Sequence, residues 1–351
     1  MAILIVSDLH YEKDRRYKGV NESISFNNLV KLIEQTQANN VVVLGDIGHA
    51  WTDSEFQQLS ETGAKFYFIY GNHDALDTLK MAKNKDGSNM LMNDGDVEQI
   101  EGFIFAFING IAVDNPNPKE GTWLRSEKDF ESAANKIKEK IESMRKNHSE
   151  ERVILCTHAG PNMLEDTLLP LTRKSQSFSF RKDAASKAVT RAVEIIKPSL
   201  SFSGHVKFTG FGIYKTKENE IIIGVKVQTS ASEGTYALLK EGTLEIHSLH
   251  KSLVLGDSSC FSVSLQKLSD LAEKGLPFSS LFLKNDSPQE AKPIKSQNNV
   301  KDTPQDRTTR ALPPISNPSE SNPSENPQEN KKESIKTLLR QIIERIEKRV
   351  M

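Results

Sequence analysis

Short continuous apolar runs punctuate the first two hundred positions: 2–6 (AILIV), 41–44 (VVVL), 65–70 (KFYFIY), 103–108 (FIFAFI), 152–156 (RVILC) and 199–203 (SLSFS). Runs of this length, rich in β-branched and aromatic residues, predict buried strands. Between them, 22–37, 53–62, 126–147 and 181–197 carry apolar positions at helical spacing, and the last stops before Pro198, where a helix must end. Strands that alternate with helices, each strand closing on Gly, Asp, His or Asn, define an α/β chain. From 220 onward, "EIIIGVKVQ", "TYALLK" and "TLEIHSL" follow one another with short turns, which predicts antiparallel strands completing a sheet near residue 248.

Beyond that point the pattern weakens. An accessory segment, 249–285, offers one amphipathic helix in "SVSLQKLSDLAEKG" and an apolar strip in "PFSSLFL". Residues 286–330 are rich in Pro, Ser, Asn, Gln and Glu, with "SNPSE" repeated. That composition cannot offset its ordering entropy by apolar burial, so the segment is expected to be a disordered linker. In 331–351, Ile335, Leu339, Ile342 and Ile346 recur at four- and three-residue spacing, and seven basic residues face three acidic ones. This predicts a tethered amphipathic helix that docks on a protein partner or on a second copy of the chain, an anionic membrane being the weaker alternative.

Composition narrows the function. Lys and Arg total 46 against 47 Asp and Glu, a net charge of -1, so no bulk field draws the chain to nucleic acid or membrane. Two cysteines, Cys156 and Cys260, argue against a disulfide framework. No run approaches the ~18 apolar residues of a membrane span, and the N-terminal apolar stretch is too short for a signal peptide. The expected setting is the cytoplasm.

The candidate chemistry sits just past the strands. Asp8 and His10 follow the first; Asp46 and His49 the second; Asn72, His73 and Asp74 the third; His158 and His205 follow later ones. Ligands of an α/β sheet gather at the carboxyl ends of its strands, so these segments can converge. If the chain stays extended after the first strand, Asp8 and His10 point to one side. Singly, Asp8 could cap a turn and His158 could be a hydrogen-bonded core histidine. Together, carboxylate, imidazole and amide form a donor set suited to paired divalent cations such as Mn, Fe, Zn or Ni.

The series "SDLH", "GD", "GNHD", "CTHAG" and "SGHVK" resembles, in order, the motifs of the calcineurin-like metallophosphoesterase superfamily. The resemblance implies an αββα fold, a β-sandwich flanked by helices in four layers, over 1–248. It implies that Asp8, His10 and Asp46 hold a first metal, and that Asp46, Asn72, His158 and His205 hold a second. His73 would contact phosphate and protonate the leaving oxygen, with Asp74 orienting it. The implied activity is metal-dependent phosphoester hydrolysis, a phosphodiester favoured, through water acidified between two ions, Mn foremost. His49 is either an active-site residue, as in nuclease members of the family, or a surface residue. Lys207 departs from the pattern, because the family places a first-metal histidine there and an ammonium has no lone pair. Water or His49 completes the first metal, or the Lys charge partly replaces it, or the fold has become a scaffold; or else Lys207 simply points away. Basic loops 11–19 and 171–183, mixed with Tyr and Phe, suit a phosphate-rich substrate, nucleic acid among the candidates.

Overall fold

The computed structural model describes residues 2–274 apart from 13–15, 18–19, 22, 113–123, 146–150, 162–164, 169–185, 206–209, 217, 219–220, 228, 230–233 and 249–258. Lys207, most of both basic loops, the linker and the C-terminal helix all lie outside the described residues.

The chain begins with β1 (Ala2–Val6), the short pair β2 (Arg16–Tyr17) and β3 (Val20–Asn21), α1 (Ile24–Thr36), β4 (Asn40–Leu44), α2 (Asp53–Glu61), β5 (Lys65–Ile69) and α3 (Leu76–Met81). There follow β6 (Asp96–Ile100), β7 (Phe103–Ile108), β8 (Ile111–Ala112), β9 (Leu124–Arg125), α4 (Glu127–Arg145), β10 (Arg152–Thr157) and β11 (Glu165–Leu168). The remainder is α5 (Lys187–Ile196), β12 (Leu200–Ser203), β13 (Gly210–Lys215), β14 (Ile221–Lys226), β15 (Thr235–Lys240), β16 (Thr243–Ser248), β17 (Ser259–Ser264) and α6 (Leu265–Glu273).

Two sheets form. The first has strand order β17-β16-β15-β1-β4-β5 and the second β11-β13-β14-β12-β10-β7-β6. In the first, β1, β4 and β5 are parallel, with Ile3 opposite Asn40 and Asn40 opposite Lys65. In the second, β7, β10, β12 and β14 are parallel.

Side-chain alternation sorts these strands into layers. Ile3 and Ile5 point inward with Val42, Leu44, Phe103, Phe105 and Phe107, making the core between the sheets. Leu4, Val6, Val41 and Val43 face the other way, against Phe26, Leu29, Leu32, Phe56 and Leu59 of α1 and α2. On the far side, Ile104, Ala106, Val153 and Leu155 meet Phe130, Ile137, Val189 and Val193 of α4 and α5. Three apolar interfaces between four layers give αββα. Strands covered on both faces read as unbroken apolar runs, which is why they stand out in the sequence.

The helices start where side chains can serve their free amides. The Thr52 side chain and that of Glu55 make a reciprocal capping box on α2. On α5, Ser186 Oγ accepts from the Val189 amide. Lys197 closes that helix in the left-handed conformation, with Pro198 next.

The core extends past 248, the expected end of the antiparallel run. β17 pairs with β16, and Val263, Leu265 and Leu268 join the core between the sheets. Ser262–Ser264, the first residues of the stretch read as one helix, are therefore strand, and the helix begins at Leu265. Other elements also lie outside what the sequence pattern predicts, among them α3, β6, β11 and β13. α3 has only six residues, and β6 (DVEQI) is a polar edge strand with one neighbour, β7.

Candidate metal centre

The site lies where β1, β4, β5, β10 and β12 end. The chain after β1 is not extended, contrary to expectation. Asp8 (φ 56°) and His10 (φ 45°) are left-handed, and so are Asp46 (φ 54°) and His205 (φ 64°). Non-glycine residues pay for this conformation, and such strain gathers at functional sites. Backbone bonds hold the turns: the Asp8 amide donates to the Gly45 carbonyl (3.0 Å), His10 to Asp46 (2.9 Å) and Tyr11 to Ile47 (2.7 Å). The turns after β1 and β4 are thus clasped together, and each presents its carboxylate inward.

Two triads result. Asp8, His10 and Asp46 offer ligand atoms all within 4.8 Å of one another, and so do Asp46, His158 and His205. His10 Nε2 lies 3.8 Å from Asp8 Oδ1 and 3.9 Å from Asp46 Oδ2, while His158 Nε2 lies 3.3 Å from that same Asp46 oxygen. Asp46 is the shared corner. His158 is fully buried, and its Nδ1 meets the Leu44 carbonyl at 2.7 Å, which turns Nε2 toward the site. Asn72 Oδ1 is buried without a hydrogen-bond partner. A buried acceptor is rarely left unpaired, so this orphan, one residue past Gly71, whose position touches Asp46 and His158, fits a divalent cation.

Close approach explains Gly71. A Cβ there would strike Asp46 Oδ1 and come within 2.6 Å of His158 Nε2. Only glycine lets the "GNHD" turn pass this near the shared carboxylate.

Charges packed so tightly shift one another. Burial pushes Asp8 up to about 7, with repulsion from Asp46 adding to it and His158 opposing it. For Asp46, burial works against ionisation, but the attraction and hydrogen bond of His158 prevail and hold it far below the usual carboxylate range. Burial works against the charged form of His158, but the attraction and hydrogen bond of Asp46, joined by Asp8 and the Leu44 carbonyl, raise it to about 9. Burial, and then repulsion from His158, lowers His205 to about 4.

His73 and His49 stand at the exposed mouth. The His73 ring is 5.3 Å from that of His10 and 6.3 Å from that of His49. Glu12 Oε1 accepts the His49 amide at 2.9 Å, fixing that loop. Asp74 does not orient His73 as expected. Its carboxylate accepts the backbone amides of Ile47 (2.6 Å), Gly71 (2.6 Å), Asp46 (3.0 Å) and Gly48 (3.4 Å), bracing the turns after β4 and β5. Burial, followed by repulsion from Asp46, raises it to about 6.

Three supports escape the motif reading. Ser7 Oγ donates to Asp8 Oδ2 at 2.6 Å. Asn109, just past β7, accepts the Tyr70 amide (3.0 Å) and donates to the Met92 carbonyl (2.9 Å), tying the two sheets together beside "GNHD". Arg125 pairs with Asp94, whose other oxygen accepts the Asn109 amide, and also hydrogen-bonds Tyr70. Asn109 carries the same signal as the ligands, a polar residue following a buried strand, and could have been found by it.

A sandwich of mixed sheets whose strand ends hold two carboxylate–imidazole triads with a common aspartate belongs to the metallophosphoesterase class of folds. Residues 1–207 match the calcineurin-like phosphoesterase family, and the chain belongs to that family. Family membership implies divalent-metal-dependent phosphoester hydrolysis. Comparison with curated proteins returned no match. Among solved structures the chain is similar to TT1561 of Thermus thermophilus, at 17% identity over 71% of this chain and 98% of that one, with a TM-score of 0.47. It is also similar to Haemophilus influenzae NAD nucleotidase, at 14% identity over 69% of this chain and 47% of that one, TM-score 0.38. A phosphopantetheinyl hydrolase from Mycobacterium tuberculosis matches at 13% identity over 65% of this chain and 89% of that one, TM-score 0.36. Among the described residues no helix is long and apolar enough to cross a membrane.

Proposed function

We propose that this chain hydrolyses phosphodiesters in a manganese-dependent reaction at the Asp46-centred site. The observation that carries the reading is the pair of triads joined at Asp46, supported by the buried, unpaired Asn72 Oδ1. Asp8, His10 and Asp46 would hold one ion, and Asp46, Asn72, His158 and His205 the other. When bound, such ions supply Lewis-acid charge at phosphoryl oxygens and make water acidic enough to ionise near neutral pH.

The chain's own residues do the rest. His73, exposed at the mouth, donates a proton from its imidazole to the departing oxygen. Asp74 acts indirectly, by fixing the backbone that carries Asp46 and Asn72. His49 lines the same entrance and contacts substrate rather than metal. Burial of Asp8, Asp46 and His158 lowers the local dielectric, so charge contacts with the phosphate are stronger than in water.

A second reading, a phosphoesterase-fold scaffold without turnover, draws on Lys207 standing where the family has a ligand. One assay separates them. Purified protein with added Mn is offered bis-p-nitrophenyl phosphate, a phosphomonoester, and single-stranded and duplex DNA. Diester cleavage that Asp46→Ala reduces at least a hundredfold supports the enzyme. Bound metal with no turnover on any substrate supports the scaffold, and selective DNA cleavage would identify nucleic acid as the substrate class.

A further inference from the structure

Asp8 has two oxygens with different neighbours. Its Oδ2 accepts the Ser7 hydroxyl at 2.6 Å and the His205 backbone amide at 3.0 Å. Its Oδ1 faces His10 Nε2 at 3.8 Å. Two strong donors therefore occupy one oxygen and leave the other for the first triad. Asp8 is buried, and a carboxylate there keeps one orientation only while these donors hold it.

Ser7 is itself held on every side. It is fully buried; its carbonyl accepts the Thr229 amide (2.8 Å), and its amide reaches Thr229 Oγ1 (3.4 Å). Its hydroxyl also lies 3.4 Å from the Leu44 carbonyl. Gly204 leaves room for that hydroxyl, since a Cβ at 204 would collide with Ser7 Oγ and with Asp8 Oδ2. Three strand ends thus meet at one hydroxyl: those of β1, β4 and β12.

We infer that Ser7 is a positioning residue for the first metal, turning Asp8 so that Oδ1 faces His10 and Asp46. The inference rests on the metal-dependent reading above and deepens it. Ser7 donates to no side chain of the Asp46–His158–His205 triad and reaches it only indirectly, through the His205 amide on Asp8 Oδ2 and the Leu44 carbonyl shared with His158, so its loss should be felt chiefly at the first ion. The effect matters because the first triad is the one whose family ligand is replaced by Lys207. With fewer donors, that ion depends more on the orientation of those that remain.

The probe is Mn, titrated calorimetrically into the full-length protein, with His10→Ala and Asn72→Ala assigning the two equivalents. Ser7→Ala is expected to weaken the His10-dependent equivalent roughly ten- to a hundredfold, the range for loss of a hydrogen bond to a metal ligand. The Asn72-dependent equivalent should stay within twofold. Ser7→Cys keeps the shape with a weaker donor, and Mn has little preference for sulfur, so it should fall between. It also serves if Ser7→Ala does not fold. Equal weakening of both equivalents, or no change in either, overturns the positioning role while leaving the metal-dependent reading intact. If the unmutated protein binds no Mn, that reading fails, and this inference fails with it.

Discussion

At the scale of the residue, the strand-end motifs are legible because chemistry constrains them twice. Asp8, Asp46 and His158 must be polar where neighbours are apolar, so they break buried runs in the sequence and then stand in one cluster in space. What the sequence hides is how each is aimed. The left-handed turns at Asp8 and His10 violate the extended expectation, and only the clasp between the turns after β1 and β4 explains how both still reach the site. Asp74 shows the same limit, since its type suits an orienting partner but its carboxylate is taken up by backbone amides. The two roles predict different behaviour at positions 73 and 74. His73→Ala should bind Mn normally and lose turnover about 10²- to 10⁴-fold on a diester with a poor leaving group, with a much smaller loss on a nitrophenyl ester. Asp74→Asn should instead weaken Mn binding, because an amide cannot accept four backbone N–H groups as a carboxylate does. Loss of turnover at His73 that is equal for good and poor leaving groups would count against its role as the acid.

At the scale of the element, predictability follows burial on both faces. β1, β4, β7 and β10 lie within sheets covered by helices outside and by the facing sheet inside, so composition alone marks them. The edge strand β6 and the six-residue α3 carry weak periodicity, and their existence depends on tertiary contacts the sequence does not display. The strand β17 was concealed differently: "SVSLQKLSDLAEKG" has helical spacing in its second half, and pairing with β16 claims the first half. Helix α5 links element to site. Ser186 accepts from the Val189 amide at 3.2 Å, and its own amide donates to the Gly160 carbonyl at 2.9 Å, two residues past His158. The side chain serves the helix and the backbone serves the loop. Ser186→Ala should therefore cost about 1 kcal/mol, typical of a lost N-cap, in denaturant unfolding. Mn affinity should hardly change, because the backbone bond that anchors the His158 loop survives. A tenfold loss of Mn affinity in this variant would show that the cap, and not the backbone bond, sets the loop.

At the scale of the molecule, the site places mutually dependent charges between two sheets, so its protonation is tied to stability. In the metal-free protein, Asp8 is raised from 3.8 to about 7 and His158 from 6.5 to about 9. Both groups bind protons more tightly when folded, so both stabilise the fold at low pH and lose that contribution as pH rises. For Asp8 the loss runs from near 4 to about 7, and for His158 from about 6.5 to about 9. Asp46 acts oppositely, since its lowered value adds stability above its ordinary range and withdraws it only in strong acid. Near pH 6 Asp74, raised to about 6, adds to this loss while His205, lowered from 6.5 to about 4, works against it; above that Asp8 and His158 decide the slope, and the metal-free protein should become less stable toward pH 9. A divalent cation requires Asp8 ionised and His158 neutral, so it must displace those same protons. Its affinity should climb over the interval in which the metal-free fold weakens. The rise in Tm produced by a fixed Mn concentration should consequently be larger at pH 8 than at pH 6, following RT ln(1 + [L]/Kd) as Kd falls. Calorimetry in buffers of different ionisation enthalpy should register net proton release on Mn binding at pH 7, diminishing toward pH 9. His158→Gln, which carries no titratable proton, should remove its own part of this dependence and move the part due to Asp8 to higher pH, because His158 no longer holds Asp8 down. A Tm increment that is the same at pH 6 and pH 8, or proton uptake on binding, would mean that the Asp8–His158 pair is not where the ions bind.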